Sequence, residues 1–264
     1  MKLLIPIAGR GSRFKKEAHL NPEYHIPKPF ISVRGYPMVR WATGSLPFVA
    51  HRGQRVGSDF AIRAGDIVFV ALEEHERDYA LVRRLKEIYG KEVNVLLIPE
   101  VTRGAAETAL CAEEYIVADE PLLVSDSDHF FDGGALLNAI AADPSADGFI
   151  PVFEVPEGDT KWSFSRFDPS GSIDLVAEKQ PISTWANIGA YYFGRGSDFL
   201  EAATEAIERG EYVNNEFYLA PLYNKLIARG RSIKAVFPKY VYGLGTPRDL
   251  EYFLQETNFD LSDE

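Results

Sequence analysis

The sequence predicts an α/β fold, a doubly wound and mostly parallel sheet with a small antiparallel insertion, on three observations. Short apolar runs alternate with amphipathic stretches through the first half of the chain, the rhythm of strand–helix–strand units. A glycine-spaced turn follows the first apolar run directly. After Gly148 the rhythm gives way to strand-like runs joined by a strong turn signal.

Taken in order, Lys2–Ala8 is apolar and reads as the first strand. Pro37–Leu46 is a helix opened by proline in its first turn, where no amide hydrogen is needed. Asp66–Leu72 is a buried strand. Glu74–Tyr89 carries Leu81, Val82, Leu85, Ile88 and Tyr89 at helical spacing and stops at Gly90. Asn94–Pro99 is a short strand, Ala105–Val117 a helix, Pro121–Val124 a strand ending in polar residues, and Gly134–Ala142 a helix. Gly148–Val155 and Trp162–Phe167 are strand-like, and the turn Asp168-Pro169-Ser170-Gly171 leads into Ile173–Ala177. Helical rhythm resumes at Phe199–Arg209, Glu216–Ala228 and Pro247–Gln255. Residues 47–65 are irregular. The sum is a Rossmann-like sheet in one domain spanning 1–264, with halves of about 1–147 and 148–264.

Bulk properties narrow the function classes. A chain of 264 residues, 46% hydrophobic, buries roughly three quarters of its extended surface and needs no staple. The lone cysteine, Cys111, cannot form an internal disulfide and sits in an apolar helical stretch, where it is expected in the core. Its solitude agrees with a reducing, cytoplasmic setting. Met1–Ala8 is too short for a signal or a membrane span. A formal charge of −11 with no basic run disfavours nucleic acid and anionic membrane as partners. Polyphosphate would have to be held by a few placed cations and backbone amides, which points to a small-molecule site.

The most informative segment is Ala8-Gly9-Arg10-Gly11-Ser12-Arg13-Phe14. Two glycines one residue apart let the backbone approach a ligand and aim successive N–H groups at it. A helical turn beginning near Ser12 would add its positive end, and Arg13 could clamp phosphate oxygens bidentately. A dinucleotide fingerprint needs glycine where Phe14 stands and an acid near Val33 and Arg34; a P-loop needs Gly-Lys-Ser/Thr where Phe14-Lys15-Lys16 stands. Both are excluded. Further on, Pro27-Lys28-Pro29 presents a lysine between two φ-restricted residues, which lowers the cost of ordering it.

Gly-x-Gly-x-Arg with Pro-Lys-Pro, followed by Gly35-Tyr36-Pro37-Met38, resembles the sugar-phosphate nucleotidyltransferases, the pyrophosphorylases that make nucleotide sugars. By that resemblance Ala8, Gly9, Gly11 and Ser12 cradle the nucleotide. Arg13 and Lys28 contact the triphosphate and stabilise charge on the departing pyrophosphate. Thr102-Arg103-Gly104-Ala105-Ala106-Glu107-Thr108 resembles the family's base-binding loop, with Gly104 and Glu107 on the nucleotide; an ordinary helix start is the plainer reading.

Ser125-Asp126-Ser127-Asp128-His129 follows a predicted parallel strand, where open α/β sheets bind ligands. Hard carboxylate oxygens there suit Mg²⁺. Asp128 is the first candidate ligand, Asp126 the second, and His129 is expected to be structural. The family's second metal aspartate, ahead of a Gly-Thr near the C-terminus, is replaced by glycine in Tyr242-Gly243-Leu244-Gly245-Thr246. On the acceptor side, the resemblance implies that the lysine of Glu178-Lys179 binds the acceptor phosphate, so Lys179 counts with Arg13 and Lys28 as catalytic. Glu178, Asn187, Gly189 and Glu216 would line the acceptor.

The expected reaction joins the α-phosphate of a nucleoside triphosphate to a small phosphorylated acceptor, a sugar 1-phosphate in most relatives, and releases pyrophosphate. Thr102–Thr108, Lys161-Trp162-Ser163-Phe164 and Asn215-Glu216-Phe217-Tyr218 also resemble a subgroup from capsule gene clusters, in which cytidylyltransferases act on non-sugar acceptors such as a phosphorylated amino acid. A metal-dependent glycosyltransferase could use Asp126 and Asp128, but it leaves Arg13 and Lys28 without a role. An inactive binding homologue is the last alternative. The sequence leaves the base, the acceptor and a homo-oligomer open.

Overall fold

In the computed structural model, which describes residues 1–53, 56 and 60–261, ten strands form one mixed sheet. Lys2–Pro6 is the third strand from one edge, parallel to Ile67–Leu72 on one side and to Leu122–Ser125 on the other; Asn94–Ile98 extends the sheet parallel to Ile67–Leu72. These strands are mostly apolar runs, Ile67–Leu72 entirely so, as burial on both faces of a doubly wound sheet requires. Beyond Leu122–Ser125 the sheet turns antiparallel through Ala190–Phe193, Gly148–Glu154, Trp185–Asn187, Ser163–Phe167 and Ile173–Glu178. Ile233–Val236 runs parallel along the other edge of Gly148–Glu154.

Alternation along the central strands divides the core. Leu4, Val68, Val70 and Val124 point to the face covered by helices Ala105–Leu110, Gly196–Glu208 and Tyr223–Ala228. Leu3, Ile5, Phe69 and Leu123 point to the face covered by Leu81–Tyr89 and Gly133–Ala142. A third cluster, Phe14, Ile31, Trp41, Leu244 and Phe253, ties the glycine-rich turn to helices Met38–Gly44 and Pro247–Glu256.

Several expected elements are broken, each for a local reason. The stretch 74–89 forms two helices, Glu73–Tyr79 and Leu81–Tyr89, separated by Ala80 in the left-handed region at φ 49°. The helix after Gly104 ends at Leu110, and a short 3₁₀ turn, Glu113–Tyr115, follows. Residues 213–217 form a turn closed by the Val213–Glu216 bridge, with Asn214 and Asn215 left-handed. The helix expected from Glu216 therefore begins only at Tyr223, after a 3₁₀ turn through Pro221. Of the irregular stretch 47–65, residues 54, 55 and 57–59 lie outside the described residues. Among the described residues, no helix is long and apolar enough to cross a membrane.

Candidate active site

The glycine-rich turn leaves the first strand as expected. Gly11 adopts φ 64° and precedes a single helical turn, Ser12–Lys15, anchored by fully buried Phe14. Lys28 starts a 3₁₀ turn whose Pro29 and Phe30 are buried, so its backbone is held from below. A Cβ on Gly11 would stand 3.6 Å from the Lys28 Cβ, which puts the two cationic segments side by side.

They meet where two chambers join. One, about 530 Å³, is walled by Ala8, Gly9, Arg10, Gly11 and Ser12 on one side and by Thr102, Arg103, Gly104, Asn215 and Glu216 on the other. The second, about 270 Å³, is lined by Lys161, Trp162, Ser163, Glu178, Asn187, Gly189, Tyr191, Tyr218 and Asp249. Arg13, Lys28, Asp126 and Ser127 line both.

The floor of the junction is the end of strand Leu122–Ser125. Lys28 Nζ lies 2.7 Å from Asp128 Oδ2. Burial opposes ionisation of Asp128, but the Lys28 ammonium, with His129 and Arg13, outweighs it and holds the carboxyl well below its usual range. Burial, and then the charge of Asp128, push Asp126 the other way, up. His129 Nδ1 sits 3.5 Å from Asp128 Oδ1 and 3.9 Å from Asp126 Oδ2 with no hydrogen-bond partner of its own. The three residues offer ligand atoms within 4.8 Å of one another. Two carboxylates fit a hard divalent cation; the imidazole suits it less. His129, expected to be structural, thus faces the acidic pair.

Two glycines make room for these carboxylates. A Cβ on Gly189 would fall 2.0 Å from Asp126 Oδ2, and one on Gly245 2.4 Å from Asp128 Oδ2. Gly243, which stands where the resemblance leads one to expect a second aspartate, has the Asp249 carboxyl carbon 3.7 Å from its own Cβ position. Asp249 is held there by Lys161 Nζ at 2.7 Å and by the Thr246 hydroxyl at 2.7 Å.

The fold around this cleft has known counterparts. No family model matches the chain, and no curated protein matches it in sequence. Among solved structures, a nucleoside-diphosphate-sugar pyrophosphorylase from Vibrio cholerae RC9 is similar over 96% of this chain and 99% of its own, at 25% identity and a TM-score of 0.73. A Bacillus anthracis structure assigned as a glucose-1-phosphate thymidylyltransferase covers 98% and 97%, at 18% identity and 0.70. The inositol-1-phosphate CTP transferase of T. maritima covers 98% of each, at 17% and 0.69. All three are sugar-phosphate nucleotidyltransferases. This chain has the sugar-phosphate nucleotidyltransferase fold.

Within that nucleotidyltransferase fold, Gly104 lines the larger chamber, while Glu107, Glu216 and Lys179 lie away from the positions expected of them. Gly104 is bare because the Phe217 backbone occupies its side-chain space, 2.5 Å from a Cβ position, and Phe217 N donates to Arg103 O at 2.7 Å. Glu107 lines neither chamber; it accepts from the Arg103 backbone and binds its guanidinium, 2.6 Å from Nη2. Glu216 lines the larger chamber, not the acceptor-side one, because the 213–217 turn folds back on the Thr102–Ala105 loop. Lys179, at φ 54°, lines neither chamber: it stands behind Tyr218, Nζ donating to the phenol oxygen at 2.5 Å. Cys111, expected in the core, is exposed, and its Sγ donates to Glu107 O at 3.4 Å.

Other lining groups were missed. Lys161 and Trp162 appear in a quoted motif but without a role. Asp249 shows in the sequence only as an acid in the first turn of a Thr-Pro helix, which capping explains.

Proposed function

We propose that the chain transfers a nucleoside monophosphate from a nucleoside triphosphate to a small phosphorylated acceptor, a sugar 1-phosphate in the simplest case, and releases pyrophosphate. The observation that carries this reading is the meeting of the two chambers at Arg13 and Lys28. The larger chamber offers a glycine-rich backbone, suited to a triphosphate. The smaller offers the acceptor a place in line with the α-phosphorus.

An acceptor phosphate oxygen forms the new bond to the α-phosphorus, and the bond to the β-phosphate bridging oxygen breaks. The attacking monoester is already anionic, so no strong general base is required. Catalysis then rests on positioning and charge stabilisation. Arg13, free of ion pairs among the described residues, contributes a fork to the phosphates. Lys28, fixed against Asp128, contributes a preorganised charge to the leaving pyrophosphate. Asp126 and Asp128 would hold Mg²⁺, whose charge would screen the phosphates from one another. Lys179 acts at the acceptor side through Tyr218.

A second reading, a non-sugar phosphorylated acceptor, is favoured by the aromatic walls Trp162, Tyr191 and Tyr218 of the small chamber. A glycosyltransferase releases a nucleoside diphosphate or monophosphate and gives Arg13 and Lys28 nothing to do.

The test is a pyrophosphate-release assay with four triphosphates against a panel of acceptor phosphates. Acceptor-dependent pyrophosphate is expected, lost on chelation of divalent cations and restored by Mg²⁺. Release of nucleoside diphosphate from a nucleotide sugar instead would overturn the reading.

A further inference from the structure

Three adjacent strands put one row of polar side chains on the floor of the small chamber. Glu178 pairs across the sheet with Ser163, and one step on from the Ala186–Phe164 pair Asn187 lies on the far side of Ser163. Residues in such a row share a face. All three line the chamber, and all three are more than nine-tenths buried, at 8%, 6% and 3% exposure.

Two members of the row are unsatisfied, with opposite needs. The Asn187 amide oxygen accepts from Ser165 Oγ at 2.6 Å, but its Nδ2 has no partner. The Glu178 carboxylate makes no ion pair or hydrogen bond among the described residues. Its neighbour Lys179 is turned by a left-handed backbone toward Tyr218. Buried polar groups are normally paired, and an orphaned carboxylate costs more than an orphaned amide.

The other charges of the chamber do not answer Glu178. Lys28 is engaged by Asp128 and Lys161 by Asp249. Arg13 stands at the far end, at the junction with the larger chamber. A neutral hydroxyl would give Glu178 a hydrogen bond but no counter-charge. The Trp162 and Tyr218 rings already hold the Lys161 and Lys179 ammoniums, each 4.7 Å from a ring centroid, so those lysines are further engaged away from Glu178.

We propose that the acceptor carries, besides its phosphate, a cationic amine that Glu178 receives and an oxygen that takes the Asn187 Nδ2 hydrogen. Amino-sugar phosphates and phosphorylated amino alcohols or amino acids share this chemistry. The inference rests on the nucleotidyltransferase reading above and narrows its acceptor.

Matched acceptor pairs test it in the full-length protein by pyrophosphate release. Glucosamine 1-phosphate is set against glucose 1-phosphate and N-acetylglucosamine 1-phosphate, phosphoethanolamine against 2-hydroxyethyl phosphate, and phosphoserine against 3-phosphoglycerate. In at least one pair the amine member is expected to exceed its neutral partner by roughly 10²-fold in kcat/KM, the scale of an unmatched buried polar group. The pair that responds identifies the source. Glu178→Gln, which keeps the shape and removes the charge, should shrink that ratio to about threefold or less. Neutral partners used as well as amines by the wild type would overturn the inference while leaving the reaction class standing. Pyrophosphate from no acceptor would overturn the reaction class itself. Should Glu178→Gln fail to fold, the wild-type ratio alone decides.

Discussion

The two carboxylates at the end of strand Leu122–Ser125 depend on atoms that are missing opposite them. Gly189 and Gly245 leave Asp126 and Asp128 the room that a methyl group would take, at 2.0 and 2.4 Å. Neither glycine lies in the left-handed region, so backbone freedom does not explain them; close approach does. Gly189→Ala is expected to displace Asp126 and lower kcat by roughly 10-fold or more, with circular dichroism unchanged, since a small misplacement at a reacting centre is costly. Activity within twofold of wild type would show that Asp126 tolerates the shift. Glu178 supplies a pH test. Burial, only partly countered by Lys179, pushes its carboxyl up to about 7. Its folded pKa lies above the unfolded value, so protonation favours the folded state and its ionisation costs stability as pH rises from the unfolded value toward 7. An amine-bearing acceptor should therefore bind more tightly as pH rises through about 7, and Glu178→Gln should flatten that rise in KM.

At the scale of elements, the sequence showed the strands of the parallel half almost to the residue, because buried parallel strands are continuous apolar runs. It showed less of what interrupts an element. The left-handed Ala80 and the Asn214-Asn215 turn carry no glycine to announce them. Strands Trp185–Asn187 and Ala190–Phe193 are separated at Ile188–Gly189, where Gly189 O accepts from Asp126 N at 2.6 Å. Because of the Asn214-Asn215 turn, Glu216 stands at the larger chamber and not at the acceptor-side one expected of it, while Gly11, Arg13 and Lys28 sit in short motifs of fixed spacing that the sequence displays. Helix Glu73–Tyr79 carries its own liability. His75 is 3% exposed, neither ring nitrogen has a hydrogen bond, and burial holds its pKa below the usual value. The unfolded chain then binds the extra proton first, so stability falls as pH drops below about 6.5, by up to ~1.4 kcal/mol per unit. His75→Leu is expected to remove that portion of the slope in urea melts taken between pH 7 and pH 5. An unchanged slope would mean that His75 titrates normally in the folded protein.

Across the whole molecule, the cleft follows from the way one sheet forks. The strand pair Trp185–Asn187 and Ala190–Phe193 shares Gly148–Glu154 on one side, yet meets Ser163–Phe167 at one end and Leu122–Ser125 at the other. The smaller chamber is lined at that fork by Ser163, Asn187 and Gly189, and distant parts of the chain meet to wall the cleft. The 213–217 turn of the second half closes on the Thr102–Ala105 loop of the first, with Ala106 N donating to Phe217 O at 3.0 Å. Lys161 of the insertion likewise reaches Asp249 at the start of the last helix. A triphosphate bound in the larger chamber should stabilise the fold by about 2.7 kcal/mol at 100 times its Kd, read as a rise in Tm. The central claim is that Lys28, side by side with Arg13, steadies the departing pyrophosphate. Single-turnover rates of pyrophosphate release from Lys28→Ala with saturating triphosphate and acceptor address it most directly. The account predicts a fall of roughly 10²–10³-fold, the scale for one preorganised stabiliser; a rate within about threefold of wild type would contradict it.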